Sequence, residues 1–300
     1  MEKVTLRVPA TSANLGPGFD SFGCAFSLYN TYTFEIISGG LEIDGCPEEF
    51  RNRDNLSVVA YRYAMDALGL PMEPLALHID AQIPVCRGLG SSSAMIIGGV
   101  MAANALHGAP FSREEMLRLC TVVEGHPDNL APALYGGMTA SLMREGRPVT
   151  ARFPLSERLR FFALVPPFHL STELARSVLP QRVPFADAVF NVSHAALLLR
   201  ALETADTEMI ALALDDRLHQ PYRKGLIAGY DLAEQTARSC GATAFCISGA
   251  GPTCLCIADN DAVGDRLRAA LPETCPGWEV LALTVDTEGA KLIGGNDAVL

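Results

Sequence analysis

The segment Pro84-Val85-Cys86-Arg87-Gly88-Leu89-Gly90-Ser91-Ser92-Ser93-Ala94 decides how this chain is read. Before it, Leu75 to Ile83 alternates, with Leu75, Leu77 and Ile79 on one face, as a strand does. After it, Ala94 to Leu106 is apolar and of helical length, although Gly98, Gly99 and Asn104 interrupt it. Glycines at a strand-to-helix turn let the main chain curl closely around an anion. The first N–H groups of the helix lack intrahelical partners and sit at the positive end of its dipole. Three serine hydroxyls at that point can cap the helix or bond phosphate oxygens. A plain cap needs one serine and no glycine pair, so the segment reads as a phosphate cradle.

Familiar phosphate-binding classes do not fit it. A Walker A loop requires a lysine after its last glycine, and the only lysines are Lys3, Lys224 and Lys291. The same scarcity, with no HRD or DFG signature, removes the protein kinases. Gly88-x-Gly90 is not followed by a third glycine three residues on, so the dinucleotide fingerprint fails as well.

Composition narrows the partners. Of 300 residues, 49% are apolar and 19% charged, which is the balance of a globular protein, and at roughly 150 residues per domain two units are expected. Asp+Glu number 34 against 23 Lys+Arg; a net charge of -11 repels nucleic acid and anionic lipid, so neither is expected as a partner. The start, Met1-Glu2-Lys3-Val4-Thr5, has no secretory pattern, and the apolar run 94 to 106 is too short to span a bilayer. A cytoplasmic protein is expected. Nine cysteines without a CxxC pair argue against disulfides or a zinc knuckle, and Cys254 and Cys256 read as small residues on one strand face.

Further elements follow from periodicity. Residues 4 to 8 and 25 to 37 read as strands, the latter through Tyr29, Tyr32, Phe34, Ile36 and Ile37. Asn55 to Leu68 reads as a helix with Ala60, Ala64 and Leu68 on one stripe. Ser112-Arg113-Glu114-Glu115 is a capping box that starts a helix running toward Glu124. A strand at Phe161 to Val165 and helices at 186 to 202 and 224 to 240 form a second run. The boundary is expected within 144 to 158, where Arg144-Glu145-Gly146-Arg147-Pro148 is polar and turn-rich.

The segment 84 to 94 resembles the ATP-binding motif of the GHMP kinase superfamily, and two more stretches match its other motifs in order. Pro9-Ala10-Thr11-Ser12-Ala13-Asn14-Leu15-Gly16-Pro17-Gly18-Phe19-Asp20-Ser21-Phe22-Gly23 resembles the N-terminal motif in the form used by the homoserine kinases. Ser248-Gly249-Ala250-Gly251-Pro252-Thr253 resembles the C-terminal glycine motif. Between them, Glu124-Gly125-His126-Pro127-Asp128-Asn129, Ser171-Thr172-Glu173-Leu174-Ala175-Arg176 and His219-Gln220-Pro221-Tyr222-Arg223 are similar to segments of that same branch. Sugar-recognition motifs of galactokinase are missing, and the lysine that mevalonate kinase brings near the first motif is not matched by Arg7.

The resemblance implies an α+β, two-domain GHMP kinase fold. Residues 1–150 would be the ATP-binding domain, similar to ribosomal protein S5 domain 2, and 151–300 a ferredoxin-like domain. It implies ATP and Mg²⁺, phosphorylation of the side-chain hydroxyl of L-homoserine in threonine biosynthesis, and it is compatible with a homodimer. ATP would lie on Asn55 and on Pro84, Val85, Cys86, Arg87, Gly88, Leu89, Gly90, Ser91, Ser92, Ser93 and Ala94, with Ser92 and Glu124 at the metal. Arg176 and Arg223 would fork onto the substrate carboxylate, a geometry lysine does not reproduce. Asp20 would take the ammonium, Asn14 would orient the reacting hydroxyl, and His126, Thr172 and Gly249 would complete the pocket.

Phosphoryl transfer needs positioning and charge neutralisation more than a strong base. Asn14 and Glu124 are therefore the expected catalytic residues, with Asp20 as the competing base; an Asp20 bound to ammonium would be a weak one. A kinase for another alcohol, such as mevalonate or shikimate, and a non-catalytic nucleotide sensor are the alternatives. A requirement for the two arginines with an amino-acid substrate excludes the first, and turnover excludes the second.

Overall fold

The structure, a computed structural model, describes residues 2–294; Met1 and residues 295–300, the end of the expected second unit, lie outside the described residues. The first half of the chain runs β1 (Lys3–Ala13), β2 (Phe22–Ile36), β3 (Leu41–Asp44), α1 (Leu56–Leu68), β4 (Leu75–Ala81), α2 (Ser91–Leu106), α3 (Arg113–Glu124), α4 (Leu130–Tyr135), β5 (Met138–Arg144) and β6 (Arg147–Phe153). The second half runs β7 (Arg160–Val165), α5 (Thr172–Ser177), α6 (Phe185–Thr204), α7 (Thr207–Ala213), α8 (Gln220–Arg223), α9 (Tyr230–Ser239), β8 (Ala244–Ile247), β9 (Cys254–Ala258), α10 (Ala262–Thr274), β10 (Glu279–Leu283) and β11 (Lys291–Gly294).

A seven-stranded sheet has the order β11-β1-β2-β4-β3, with β5 added to the start of β2 and β6 to β5. In β1, burial alternates only through Val8 and is continuous from there, which is why its period-2 signal stops at that point although the strand continues to Ala13. The register shifts between Pro9 and Ala10, a bulge at a residue with no N–H to give to the ladder. Against this sheet lies α2, apolar all round because α1, α3, α4 and β1 cover it. Its mid-helix glycines let neighbours close in: a Cβ on Gly99 would lie 2.2 Å from the Ser57 carbonyl of α1. The capping box of α3 forms as read, with Ser112 and Glu115 bonded reciprocally.

A second sheet, β10-β7-β9-β8, is antiparallel throughout. β7, β9 and β8 are buried on both faces, while the edge strand β10 is partly exposed. Phe161, Ala163, Leu255 and Ile257 join the core shared with the first sheet and α6, and Phe162, Leu164, Cys254 and Cys256 join the core under α9 and α10. Cys254 and Cys256 thus share one strand face, and all nine cysteines are free.

Three elements differ from their expected form. The helix read across 224 to 240 starts only at Tyr230: a short 3₁₀ turn over 224–226 ends at Ile227, and Gly229, at φ +87°, caps the start of the helix. The segment 144 to 158 contains β6, a strand of the first sheet, and β11 also returns to that sheet beside β1. The expected division at residue 150 falls inside β6. Finally, α6 is long and apolar enough to cross a membrane by length and composition, longer than the 94–106 run. One face of it packs, with Leu198, Ala201 and Leu202 in the core and Asn191 donating to Pro17 O and to Asp216 Oδ1, while Phe185, Val189, Val192 and Leu197 are exposed.

Candidate active site

Three loops far apart in sequence are stitched together by their main chains. Thr11 N–H donates to Leu89 O at 3.1 Å, Gly249 N–H to Ala13 O at 2.9 Å and Thr253 N–H to Arg87 O at 3.2 Å. The Ser248 hydroxyl bonds Gly88 O at 2.6 Å and lies 2.8 Å from Ser12 Oγ. Gly88 is required there: its φ is +75°, and a Cβ would lie 2.3 Å from Ser248 O.

The loop 84 to 90 ends in Gly90, the left-handed cap of α2, so Ser91, Ser92 and Ser93 supply the first helical turn and its free N–H groups. Val85 and Cys86 are exposed at the crest, and Pro84, Gly88 and Gly90 are half-buried. Leu89 and Ala94 turn into the core and offer only main chain. Arg87 donates Nη2 to Pro167 O at 3.1 Å and keeps Nη1 unpartnered.

Glu124 reaches this helix end from the last turn of α3. Its Oε1 accepts the Ser92 hydroxyl at 2.7 Å and the Ser93 hydroxyl at 3.1 Å. A carboxylate at a helix C-terminus is placed against the dipole, which a cation would reverse. One carboxylate and one hydroxyl are also the sparse donor set that Mg²⁺ accepts when phosphate oxygens and water complete its shell. Ser92 and Glu124 fit that ion.

Beside this loop lies a cluster of charged side chains. Asn14, with φ +57°, accepts Asp20 N–H at 2.8 Å and donates to Gly249 O at 3.0 Å, which ties the first and third motifs. Asp20, the expected partner of an ammonium, receives Arg176 on its two oxygens, at 2.7 and 3.1 Å. That hydrogen-bonded pairing raises the Arg176 pKa. Thr172, also on α5 and four residues before Arg176, lies on the same helix face behind the Ser171 cap.

Arg223 is 1% exposed, with Nε on Ala175 O at 3.1 Å and Nη1 on Gly249 O at 3.2 Å. Burial, and then the Arg176 charge, bring its pKa down to about 10, so it stays cationic at neutral pH. Both guanidinium groups lie over Phe19, at 5.7 and 5.0 Å from the ring centroid, and Phe19 stacks on buried His219. His126 is bonded to Asp128 Oδ1 at 2.9 Å, which raises its pKa.

Asn55 stands apart from this assembly in its bonding. It caps α1, accepting Ser57 N–H at 3.0 Å and donating to Phe50 O at 3.0 Å, so both ends of its amide are engaged. Phe19, His219, Ser248 and Asp128 are site residues that sequence reasoning passes over. All four lie within the motifs themselves; adjacency to Asp20, Arg223, Gly249 and His126 is the available signal.

Residues 55–137 match the family described as GHMP kinases N terminal domain, and 197–277 match GHMP kinases C terminal. The chain is 42% identical over 296 residues to a homoserine kinase of Clostridium botulinum, covering 98% of this chain and 99% of that one. It is 41% identical to the homoserine kinase of Clostridium beijerinckii, with 97% and 99% covered. Among solved structures, homoserine kinase from Cytophaga hutchinsonii superposes with a TM-score of 0.87 at 25% identity, covering 98% of each chain. A mevalonate kinase from L. major shares the fold, with a TM-score of 0.75 at 18% identity over 94% and 96% of the two chains. With the phosphate cradle, the seven-stranded sheet and whole-length similarity in agreement, the chain belongs to the homoserine kinase family of the GHMP kinases.

Proposed function

We propose that the chain transfers the γ-phosphoryl group of ATP to the side-chain hydroxyl of L-homoserine, giving O-phospho-L-homoserine and ADP. The observation that carries this reading is the shared Ser248–Gly249 loop, which holds the phosphate cradle through Gly88 and the Arg223 guanidinium through Gly249 O. A polyanion and an amino-acid carboxylate are thereby held on two sides of one loop.

In this reading the N–H groups at 88 to 93 hold the triphosphate. Ser92 and Glu124 hold Mg²⁺, which when bound neutralises phosphate charge. Arg176 and Arg223 hold the substrate carboxylate, Phe19 fixes the spacing of the two guanidiniums, and Thr172, His126 and Gly249 line the same pocket. Asn14 orients the hydroxyl toward the γ-phosphate. Both oxygens of Asp20 are engaged by Arg176, and phosphoryl transfer asks for positioning more than for a strong base, so the hydroxyl attacks without a dedicated base. The same reading has the enzyme act in the cytoplasm, as a homodimer whose mass sedimentation would report.

The test is ADP release by the purified chain with MgATP and a panel of hydroxy metabolites, with phosphorus NMR to identify the product. Homoserine-dependent turnover is expected; turnover of mevalonate or shikimate in its place rejects the assignment.

A further inference from the structure

The phosphate loop is tied to a second segment besides the third motif, the one that carries α5. Arg87 donates Nη2 to Pro167 O at 3.1 Å, and Leu170 N–H donates to Cys86 O at 3.3 Å. Residues 166–171 lead directly from β7 into α5, the helix of Thr172 and Arg176. That helix has little packing of its own: of its six residues only Ala175 is buried. At its far end it is held by the charged cluster, through Arg223 Nε on Ala175 O and Arg176 on Asp20. The phosphate loop thus holds the approach to α5, and the charged cluster holds its exit.

The loop end of this connection is a place where a ligand changes the balance. Val85 and Cys86 are exposed at the crest, and Cys86, which carries a Cβ, takes φ +54°. A non-glycine residue in the left-handed region is held there at a cost, and such residues gather at ligand clamps and switch segments. Phosphate oxygens bonded to the N–H groups at 88 to 93 fix the same turn from within. Fixing it restricts Cys86 O and the Arg87 guanidinium, the two groups that grip 167 and 170. The side-chain grip is a single bond, since Arg87 Nη1 is buried without an acceptor among the described residues. A second ligand that needs α5 in place then loses less entropy in ordering it, which is positive coupling.

Resting on the proposed kinase activity, we propose that Arg87 is a positioning residue that couples the two substrates. Through Pro167 O it transmits occupancy of the phosphate loop to α5, so that the nucleotide sets Arg176 in place for the amino acid. Coupling of this kind is reciprocal, and homoserine tightens the nucleotide by the same factor.

The experiment measures, by titration calorimetry, the Kd of L-homoserine with and without saturating Mg²⁺ and the non-hydrolysable ATP analogue AMP-PNP. The ratio is the coupling factor. A tightening of about 10-fold is expected for the unaltered enzyme, matched by an equal tightening of AMP-PNP by homoserine. Arg87→Met keeps an aliphatic stem and has no donor, and should reduce the factor to about 2-fold or less. Arg87→Lys retains a donor for Pro167 O and should recover part of it. Hydrogen exchange of amides 168–177 is read alongside: AMP-PNP should slow it in the unaltered enzyme and not in Arg87→Met.

A coupling factor that survives in Arg87→Met overturns the proposal, whatever happens to either affinity alone. Weaker AMP-PNP binding with the factor intact makes Arg87 a plain phosphate contact, and a lower melting temperature with the factor intact makes it structural. Should Arg87→Met fail to fold, Arg87→Lys takes its place, with a partial fall expected and an undiminished factor overturning the link. In the unaltered enzyme, homoserine bound independently of AMP-PNP overturns it as well. Enzyme that neither binds nor turns over homoserine overturns the activity itself, which is a different result from binding without coupling.

Discussion

Ser248 donates its hydroxyl to the carbonyl of Gly88 at 2.6 Å, joining two loops 160 residues apart in the chain. The bond requires a glycine opposite it, since a Cβ at position 88 would lie 2.3 Å from Ser248 O at a φ of +75°. Gly88→Ala is therefore expected to cost about 1 to 3 kcal/mol in stability and to push the phosphate loop off the third motif. The checks are a thermal melt and the KM for ATP. A rise of about 10-fold or more in KM is expected; an unchanged melt and KM would refute the close approach.

Ser92 and Glu124 meet at the end of α2, and each is expected to matter through Mg²⁺. Glu124→Gln should lower kcat on the order of 100-fold and move the Mg²⁺ concentration for half-maximal rate upward by about 10-fold or more. Ser92→Ala should act in the same direction more weakly, since one hydroxyl remains at Ser93. Titrating Mg²⁺ at fixed ATP is the measurement. An equal fall in rate at every Mg²⁺ concentration would assign the pair to structure alone.

Arg176 holds Asp20 by two parallel bonds that a lysine cannot copy. Arg176→Lys is expected to raise the KM for homoserine by about 30-fold, corresponding to about 2 kcal/mol, with the KM for ATP unchanged. Steady-state kinetics with each substrate varied in turn separate the two. A rise confined to ATP would place Arg176 on the nucleotide side.

Asn55 is an expected nucleotide contact whose side chain caps α1. Asn55→Ala should cost about 1 kcal/mol of stability. If capping is its work, the preference for ATP over GTP stays as it was; a collapse of that preference with an unchanged melt would restore the nucleotide role.

His219 is fully buried, stacked on Phe19 and paired through Nε2 with Gly16 O at 2.9 Å. Burial lowers its pKa below 6.5, so the folded protein keeps the ring neutral while the unfolded chain protonates it. The unfolded state then binds more protons, and stability is lost as pH falls below about 6.5. His219→Gln should be less stable than the parent at about pH 8, and the gap should narrow toward about pH 5.5. Urea midpoints across that range report it; parallel curves would mean the ring does not titrate on unfolding.

Sequence disclosed most where a signal is local. The capping box at Ser112 and Glu115 spans four residues and forms as read, and the glycine-serine turn at 88 to 93 announces the helix it caps. The Asp20–Arg176 pairing bridges 156 positions and Asn14–Gly249 bridges 235, and no spacing rule links such residues. The resemblance brought them into one pocket but not into contact. Gly229 in the 224 to 240 run was visible, but a glycine inside an apolar pattern does not declare that its φ will be positive. The four residues of β11 are too few and too mixed to show a period.

That last strand bears on how the protein is born. Because β11 lies along β1, the outer edge of the first sheet has no partner until residues 291 to 294 have emerged from the ribosome. Throughout that interval β1 presents an open row of amides and carbonyls to any other nascent strand, and its native partner is separated from it by nearly the whole chain. Closure of the first sheet thus waits on a strand from the far side of the second sheet's sequence, and slippage or aggregation of a chain lacking it would begin at that edge.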